Sequence, residues 1–206
     1  NLCTRAVLLE KGRLIYSGIA RDTVEKYLGG FAVGESEKME WIAPEKRYSF
    51  AEVVRVKRYY VRDEEGNIST GKLFNSKHYE VVIEADLLQS DARLIFGLIY
   101  YGDDGTLLFS TDVHDTGEIN FGQVAPGPLV LSVPVPVELF MNKSYQMELI
   151  CCFHYTGWVL PPNNESMLRF EVFRDIDLNP YSNETRLGYL APVLRWKLDE
   201  KGNEYD

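Results

Sequence analysis

The chain has 206 residues, of which 31 are Asp or Glu and 22 are Lys or Arg, so its formal net charge is −9. Nucleic acids and anionic lipid surfaces are polyanions, and this charge balance argues against both as general partners. A hydrophobic fraction of 45% and a charged fraction of 26% are typical of a folded globular protein. No apolar run reaches the about 18 residues that a membrane-spanning helix needs.

The three cysteines are Cys3 and the adjacent pair Cys151-Cys152. Neighbouring residues of a strand point to opposite faces, so the pair does not readily form a disulfide with itself, while a bridge from Cys3 to either one stays open. This cysteine usage favours a reducing compartment, and we expect a cytoplasmic protein. Four Asn-x-Ser/Thr tripeptides would point instead to a secreted glycoprotein, but such tripeptides also arise by chance. They begin at Asn67, Asn142, Asn164 and Asn183.

Residues 1–28 differ in character from the rest of the chain. Two short apolar runs, 6–10 and 13–18, flank the turn Lys11-Gly12 and predict a β-hairpin. Apolar residues at helical spacing predict a helix over 21–28. Such a unit is too small to bury a core of its own, so we expect it to need a larger body.

The next stretch, residues 29–50, shows no clean hydrophobic period and contains Gly, Pro and many charges, which predicts a linker. A short helical piece is expected around residues 35–41. At the other end of the chain, residues 199–206 are polar and predict a flexible tail.

Residues 51–198 alternate apolar and polar side chains at the period of two that β-strands require. In the clearest case every second residue from Tyr145 to Phe153 is apolar and is expected to face the core, while Gln146 and Glu148 face outward. Asp103-Asp104-Gly105 predicts a tight hairpin between two strands. We therefore expect an all-β fold, an immunoglobulin-like antiparallel β-sandwich with a short N-terminal hairpin and helix as an appendage. The expected strands are 51–62, 78–88, 93–101, 106–113, 128–137, 144–155, 167–174 and 188–198.

The N-terminal segment resembles a known family of ATPases. Leu2-Cys3-Thr4-Arg5-Ala6, then Leu9-Glu10-Lys11-Gly12-Arg13, then Val24-Glu25-Lys26-Tyr27-Leu28 closely resemble the end of an ABC-transporter ATPase domain. The chain has no G-x-x-x-x-G-K-[ST] loop to hold phosphates and no acidic residue placed after a strand to hold magnesium. We therefore expect no enzymatic activity and no cofactor here, with ATP and magnesium used only by an ATPase domain outside this sequence.

The remainder resembles the C-terminal domain of the ATPase subunits of bacterial O-antigen polysaccharide exporters, the Wzt type. Four stretches carry this resemblance: Val53 to Gly66, Phe96 to Phe109, Leu168 to Phe173 and Gly188 to Trp196. One departure is Ser76-Lys77-His78, where family members often have Gly-Glu before the second strand.

The resemblance implies a lectin-like β-sandwich that dimerises by exchanging its last strand. It implies that the domain recognises the non-reducing end of the O-antigen polysaccharide and couples it to an ABC exporter. The other expected partner is the transmembrane subunit of that transporter, on the cytoplasmic side of the bacterial inner membrane. An alternative is a structural module that holds two ATPase subunits together without touching the glycan.

A sugar-binding surface needs an aromatic ring for the apolar face of a pyranose and polar groups for its hydroxyls. Two stretches offer this mixture, one around residues 154–165 and one over 100–115. Within the first stretch, Trp158 stands beside a glycine and before a Pro-Pro turn, which favours an exposed position. Most other aromatic residues are expected in the core, among them Tyr145, Phe153, Phe170 and Trp196. The six candidate glycan-binding residues are Trp158, Tyr155, His154, Tyr101, Asp112 and His114.

Two other kinds of site compete for the same stretch. Asp112, His114 and Asp115 could hold a metal ion together with His154 or His78, although this spacing is a weak signal for a metal site. A glycosidase would need two carboxylates that flank a glycosidic bond, and Asp112, Asp115 and Glu118 offer such groups. Outward carboxylates are common in an acidic protein, so catalysis is the less favoured class.

Overall fold

The computed structural model describes residues 4–10, 13–20, 23, 38–45, 48–174 and 188–192. This part of the chain consists mainly of β-strands, and none of its helices is long and apolar enough to cross a membrane. Its strands are β1 Arg5–Glu10, β2 Arg13–Ile19, β3 Glu40–Ile42, β4 Val54–Arg62, β5 Lys72–Phe74, β6 Glu80–Leu87, β7 Leu94–Gly102, β8 Leu107–Asp112, β9 Gly127–Pro134, β10 Ser144–Phe153, β11 Gly157–Leu160 and β12 Met167–Phe173.

The predicted N-terminal hairpin is confirmed. β1 and β2 pair antiparallel, from Arg5 opposite Ile19 to Glu10 opposite Arg13. Four large apolar side chains of this hairpin are more than half exposed, namely Val7, Leu14, Ile15 and Ile19. The helix predicted over 21–28 lies outside the described residues except for Thr23, whose hydroxyl donates to the carbonyl oxygen of Ile19 at 2.9 Å. The relation to an ATPase domain stays a prediction.

The remaining strands form two sheets that pack face to face. In one sheet the order is β5-β12-β10-β7-β8, with β11 paired to the end of β10, and in the other it is β3-β4-β6-β9. Each pairing is antiparallel apart from β5 with β12, among the strands described. The predicted antiparallel β-sandwich is therefore confirmed.

The core lies between the two sheets and follows the alternation read from the sequence. In β10, Tyr145, Met147, Leu149, Cys151 and Phe153 are all buried. The other expected core aromatic within the described residues, Phe170, is fully buried and stacks on Tyr145 with ring centroids 5.6 Å apart. Trp196 lies outside the described residues.

Part of the predicted linker belongs to the sandwich. Residues around 40, where a helical piece was expected, form β3, and Trp41 pairs with Tyr59 of β4. Met39 is 2% exposed and joins the core. The helical interpretation was wrong there because pairing with the edge of β4 overrides the local propensity of so short a segment.

Two predicted strands in the C-terminal half differ from the prediction or are only partly described. The strand expected over 128–137 ends at Pro134, and a short 3-10 helix, Val137–Leu139, follows because prolines at 134 and 136 cannot donate to a ladder. Of the strand expected over 188–198, residues 188–192 are described, and Leu190 forms a bridge with Phe140. The exchange of this strand between two copies stays a prediction, and the tail 199–206 lies outside the described residues.

A buried tyrosine ties the two sheets together. Tyr59 of β4 is 0% exposed, and its hydroxyl crosses the core to the other sheet, where it donates to the carbonyl oxygen of Ser166. The carbonyl oxygen of Met147 lies 3.2 Å from the same hydroxyl. Burial raises the pKa of Tyr59 well above its usual value, so the hydroxyl keeps its proton for this contact.

We expect Tyr59→Phe to lower the free energy of unfolding by about 1–3 kcal/mol, because a buried carbonyl loses its donor. Urea unfolding at pH 7 measures this loss. Tyr60→Phe is the matched control, since the Tyr60 hydroxyl sits in a half-buried contact with Glu84, and it should cost less than about 0.5 kcal/mol. Equal losses in the two variants would contradict a special role for the Tyr59 hydroxyl.

Candidate functional site

The candidate site is the side of the six-stranded sheet that points away from the core. Because Cys151 and Leu149 point into the core, their neighbours Cys152 and Ile150 point outward. Directly opposite residues of paired strands share a face, and the register places Ile95 opposite Cys152 and Gly97 opposite Ile150.

Two of the predicted residues flank this pair of strands. Trp158 of β11 lies opposite Cys152 on one side, and Asp112 of β8 lies opposite Gly97 on the other. Three interstrand spacings separate β11 from β8, and the two residues are offset by two positions along the strands, so their Cα atoms stand about 16 Å apart. We call the surface between them the outer face. Its residues are Trp158, Ile150, Cys152, Ile95, Gly97, Ile99, Tyr101, Ser110 and Asp112.

Gly97 has no side chain, so the side chains of neighbouring strands can lie close to its backbone. A Cβ atom placed on Gly97 would lie 3.0 Å from the carbonyl oxygen of Thr111 and 3.2 Å from both Asp112 Cβ and Ile150 Cγ1. Contacts this tight would require the neighbouring atoms to shift by a few tenths of an ångström. The side chains of Ile150 and Asp112 therefore both lie close to the space above the glycine.

Asp112 offers a hydrogen-bond acceptor on this surface. Its Oδ1 accepts from the backbone N–H of His114 at 2.7 Å, which fixes the carboxylate in the turn after β8. Its Oδ2 accepts no hydrogen bond from the part of the chain that the structure describes. Burial raises the pKa of the Cys152 thiol, and the negative charge of Asp112 raises it further. The effect of Asp112 on Cys152 agrees with the placement of these two side chains on the same face.

The loop 161–166 covers one part of the sheet beside the outer face. It lies over Glu148, which was expected to face solvent but is 1% exposed. Glu148 does point away from the core. It is buried because its Oε1 accepts the backbone N–H groups of Asn163 at 2.9 Å and Asn164 at 2.5 Å.

Tyr101 stands at the edge of this loop. Its hydroxyl donates to Glu148 Oε2 at 3.3 Å, and the ring is partly buried. Burial raises the pKa of Tyr101, and the charge of Glu148 adds to the effect. Tyr101 is thus on the outer face, as the register requires, with its hydroxyl already engaged.

The other three predicted residues lie in turns at one end of the sheet. His154 and Tyr155 follow β10, with ring centroids 3.9 Å apart, and the backbone N–H of His154 donates to the Arg93 carbonyl oxygen at 2.8 Å. Tyr155 is 98% exposed and has a φ of 54°. His114 lies in the turn after β8, two residues beyond Asp112, which is opposite Gly97 of β7. The structure therefore brings Trp158, Tyr101 and Asp112 onto one face and leaves these three beyond its end.

The carboxylates proposed for a metal or hydrolase site line a cleft that adjoins the outer face and shares Gly97 and Asp112 with it. Asp112, Asp115 and Glu118 border a cleft of about 490 Å³ that opens between β8 and β9, with Ile83 and Leu98 among its apolar walls. Asp115 Oδ2 is engaged in the turn, since it accepts from the Thr111 hydroxyl at 2.6 Å. The described residues contain no group of three or more His, Cys, Asp or Glu that could hold a metal ion.

Sequence reasoning missed the apolar floor of the outer face. Ile95, Ile99 and Ile150 belong to almost continuous apolar runs, in which the alternation that separates inside from outside is hidden. Cys151 is an even number of residues from Tyr145, so the two share the core face. The alternation along this strand could therefore have predicted that Ile150 and Cys152 point outward. No signal in the neighbouring sequence predicts that Ile95 and Ile99 lie on the same face, because the pairing of β7 with β10 joins residues about 50 positions apart.

Comparisons with known proteins identify the fold. No family model and no curated protein matches the sequence. Among solved structures, the chain is similar to the C-terminal domain of wzt, with a TM-score of 0.52 and 12% identity over 88% of this chain and 100% of that one. The two share a fold. The CARDB domain of the PF1109 protein from Pyrococcus furiosus, described in complex with di-metal ions, covers 60% of this chain and 97% of its own at 14% identity, and its TM-score of 0.33 is too low to support an argument.

The proximity of Asp112 to Cys152 predicts a change in thiol reactivity. The thiolate is the species that iodoacetamide attacks, so the raised pKa of Cys152 should make its alkylation slow at pH 8. Asp112→Asn removes the negative charge and should speed the reaction several-fold. Tandem mass spectrometry distinguishes Cys152 from the buried Cys151. Asp104→Asn, which removes a charge at the far end of β7, should leave the rate unchanged, and an equal rise in both variants would contradict the placement.

Proposed function

We propose that this chain is a non-catalytic glycan-binding module that recognises an O-antigen polysaccharide, at its non-reducing end, and couples it to an ABC exporter. The observation that carries the proposal is the outer face. Trp158 is 45% exposed at one side of this face, and the aliphatic Ile150 and the carboxylate of Asp112 lie toward its other side. The fold shared with the wzt domain and the sequence resemblance to that family support it.

The chemistry of the outer face suits a neutral sugar ring. A pyranose presents an apolar C–H face that stacks on an indole ring, and the hydroxyls at its rim donate to a carboxylate. Because three interstrand spacings separate the two residues, Trp158 would stack on one sugar unit and Asp112 Oδ2 would accept from a hydroxyl of another unit of the same glycan. Tyr155, His154 and His114 would contact sugar units that extend past the end of the sheet, while Tyr101 would border the opposite end.

The proposal includes partners that bring the glycan to the transporter. A surface of this kind buries little area, so we expect micromolar to millimolar dissociation constants, roughly −8 to −4 kcal/mol. A homodimer, formed by exchange of the last strand as in the resembled family, would raise the apparent affinity for long chains. The transmembrane subunit would be the second partner, at the cytoplasmic side of the inner membrane. ATP and magnesium would be needed by the ATPase domain alone.

Trp158→Ala should weaken glycan binding at least about tenfold, because the stacking surface is lost. Isothermal titration against the cognate O-polysaccharide measures the change. The fold should persist, with a fall in melting temperature below about 10 °C, since the ring is only half-buried. Tyr60→Ala is the control: it removes an aromatic ring from the outward side of the other sheet, where the Arg58 guanidinium covers it at 4.8 Å, and should leave binding intact.

The outcome also separates the two functional classes. If the wild-type chain binds no glycan and is dimeric, the structural dimerisation module is the better description. If Trp158→Ala stays folded and binds as before, the outer face is not the site.

A further inference from the structure

We infer that Phe50 is a positioning residue for the strand that carries Trp158, and that ligand binding at the outer face is thermodynamically coupled to the packing of the segment around Phe50. This inference rests on the proposed function and concerns the regulation of its site. It follows from the contacts of residues 43–45 and 48–53, which lie between β3 and β4 in the chain and which we call the crossing segment.

The crossing segment contacts the opposite sheet at both ends of β11. The strands before and after it, β3 and β4, belong to the four-stranded sheet. The Phe50 ring nevertheless lies against Gly157 at the start of β11, where a Cβ atom on the glycine would stand 3.0 Å from Phe50 Cε2. In the loop after β11, Glu165 Oε1 accepts from the Tyr48 hydroxyl at 2.6 Å. Two aromatic side chains of the crossing segment therefore flank the short strand with Trp158.

β11 has few contacts of its own to fix its position. It is four residues long and, among the described strands, pairs with β10 alone. Its register shifts between the positions opposite Cys151 and Cys152. A short edge strand with so few ladder hydrogen bonds is of low local stability. The position of Trp158 therefore depends on what packs against β11 from other parts of the chain.

Phe50 packs against the start of β11 from the core side. Phe153 of β10 lies opposite Gly157, is 3% exposed and contacts Phe50 with ring centroids 4.9 Å apart. Directly opposite residues share a face, so Gly157 also faces the core. Trp158 is the next residue and points to the other side of the sheet. The Phe50 ring and a ligand on Trp158 would thus contact opposite sides of the same strand.

The backbone of Phe50 adopts a conformation that a bulky residue rarely has. Its φ is 59°, in the left-handed region where Cβ crowds the following carbonyl oxygen. The Phe50 carbonyl oxygen accepts from the backbone N–H groups of Val53 at 2.9 Å and Val54 at 3.1 Å, which fixes the turn. Such strain persists only where the surroundings hold it, and it concentrates at functional sites. Packing of the ring against Gly157 offsets the strain, so the turn and the start of β11 depend on each other.

The crossing segment is not packed along its whole length. A cleft of about 440 Å³ lies behind it, with Ala43 and Pro44 among its walls on one side and Val54 of β4 and Val159 of β11 on the other. The contacts at the two ends of β11 therefore carry much of the attachment to the six-stranded sheet. Loss of one such contact should change the position of both elements.

The coupling acts in both directions. A ligand stacked on Trp158 would hold β11 in the position that the Phe50 ring also favours, so it should stabilise the crossing segment. By linkage, loss of the Phe50 ring should weaken ligand binding by the same free energy. β3, the first strand of the sandwich in chain order, directly precedes this segment. The crossing segment thus connects the outer face with the strand that is nearest in the chain to the N-terminal hairpin.

The first test needs no ligand. The full chain is labelled with 5-fluorotryptophan, and Trp158→Phe assigns the fluorine resonance of Trp158 among the three tryptophans. Phe50→Ala should shift or broaden this resonance, because the start of β11 loses a contact. Phe74→Ala is the matched control and should leave it unchanged. The Phe74 ring is also partly buried and stacks on a second phenylalanine, Phe173, at 5.5 Å, but it lies in β5 at the edge of the same sheet.

The second test measures the coupling. Isothermal titration with the cognate O-polysaccharide should give an affinity at least about fivefold weaker for Phe50→Ala and unchanged for Phe74→Ala. Urea unfolding of both variants compares their loss of stability. Hydrogen exchange reports the reverse direction. The polysaccharide should slow exchange of the Val53 and Val54 amides, which donate to Phe50, in the wild-type chain and not in Phe50→Ala.

Each result decides the inference. An unchanged Trp158 resonance in Phe50→Ala, equal losses of affinity in Phe50→Ala and Phe74→Ala, or amide exchange that the polysaccharide does not alter overturns the inference and leaves the proposed function standing. If Phe50→Ala does not fold, Phe50→Leu replaces it with the same criteria, since leucine keeps an apolar side chain without the ring. If the wild-type chain binds no polysaccharide, the proposed function and the coupling fail together, whereas the ligand-free resonance still shows whether Phe50 positions Trp158.

Discussion

The structure around the outer face depends on one buried carboxylate, that of Glu148. It projects from the middle of β10 on the side away from the core, where a free carboxylate would normally be solvated. Two backbone N–H groups of the loop 161–166 satisfy it instead, and a third donor comes from Tyr101. Burial of an ionised group is tolerated only with such hydrogen bonds, so the carboxylate and the loop require each other.

The same loop is held to both sheets. The Ser166 hydroxyl donates to the Leu149 carbonyl oxygen at 2.8 Å, the Tyr59 hydroxyl reaches the Ser166 carbonyl oxygen from the opposite sheet, and Tyr48 donates to Glu165 Oε1 at 2.6 Å. Because this loop connects β11 to β12, its anchoring also fixes the strand that carries Trp158. A rigid support of this kind reduces the entropy lost when a ligand binds.

Within the described residues, the outer face has aliphatic side chains between the indole ring of Trp158 and the carboxylate of Asp112, and the proposed binding function uses these groups. Asp112, Asp115 and Glu118, which were considered for hydrolysis, border the cleft between β8 and β9, and Asp115 is already used to hold its own turn. The outward side of the other sheet contrasts with the outer face because ion pairs cross it: Arg58 bridges Glu84 and Glu40, and Arg62 pairs with Glu80. The two outward surfaces of the sandwich are thus chemically different.

The sequence by itself determined the fold class, the hairpin at the N-terminus and most of the strands, because alternation with period two and Asp-Gly turns are local signals. It also singled out Trp158 and Asp112, since an aromatic residue beside Gly and Pro, and an acid at a strand end, are recognisable without neighbours. Only the tertiary structure decided that these two share a face, because strand order and register depend on pairing between residues far apart in the chain. Tertiary pairing likewise made β3 a strand, and the loop 161–166 buried Glu148, which alternation alone had assigned to solvent.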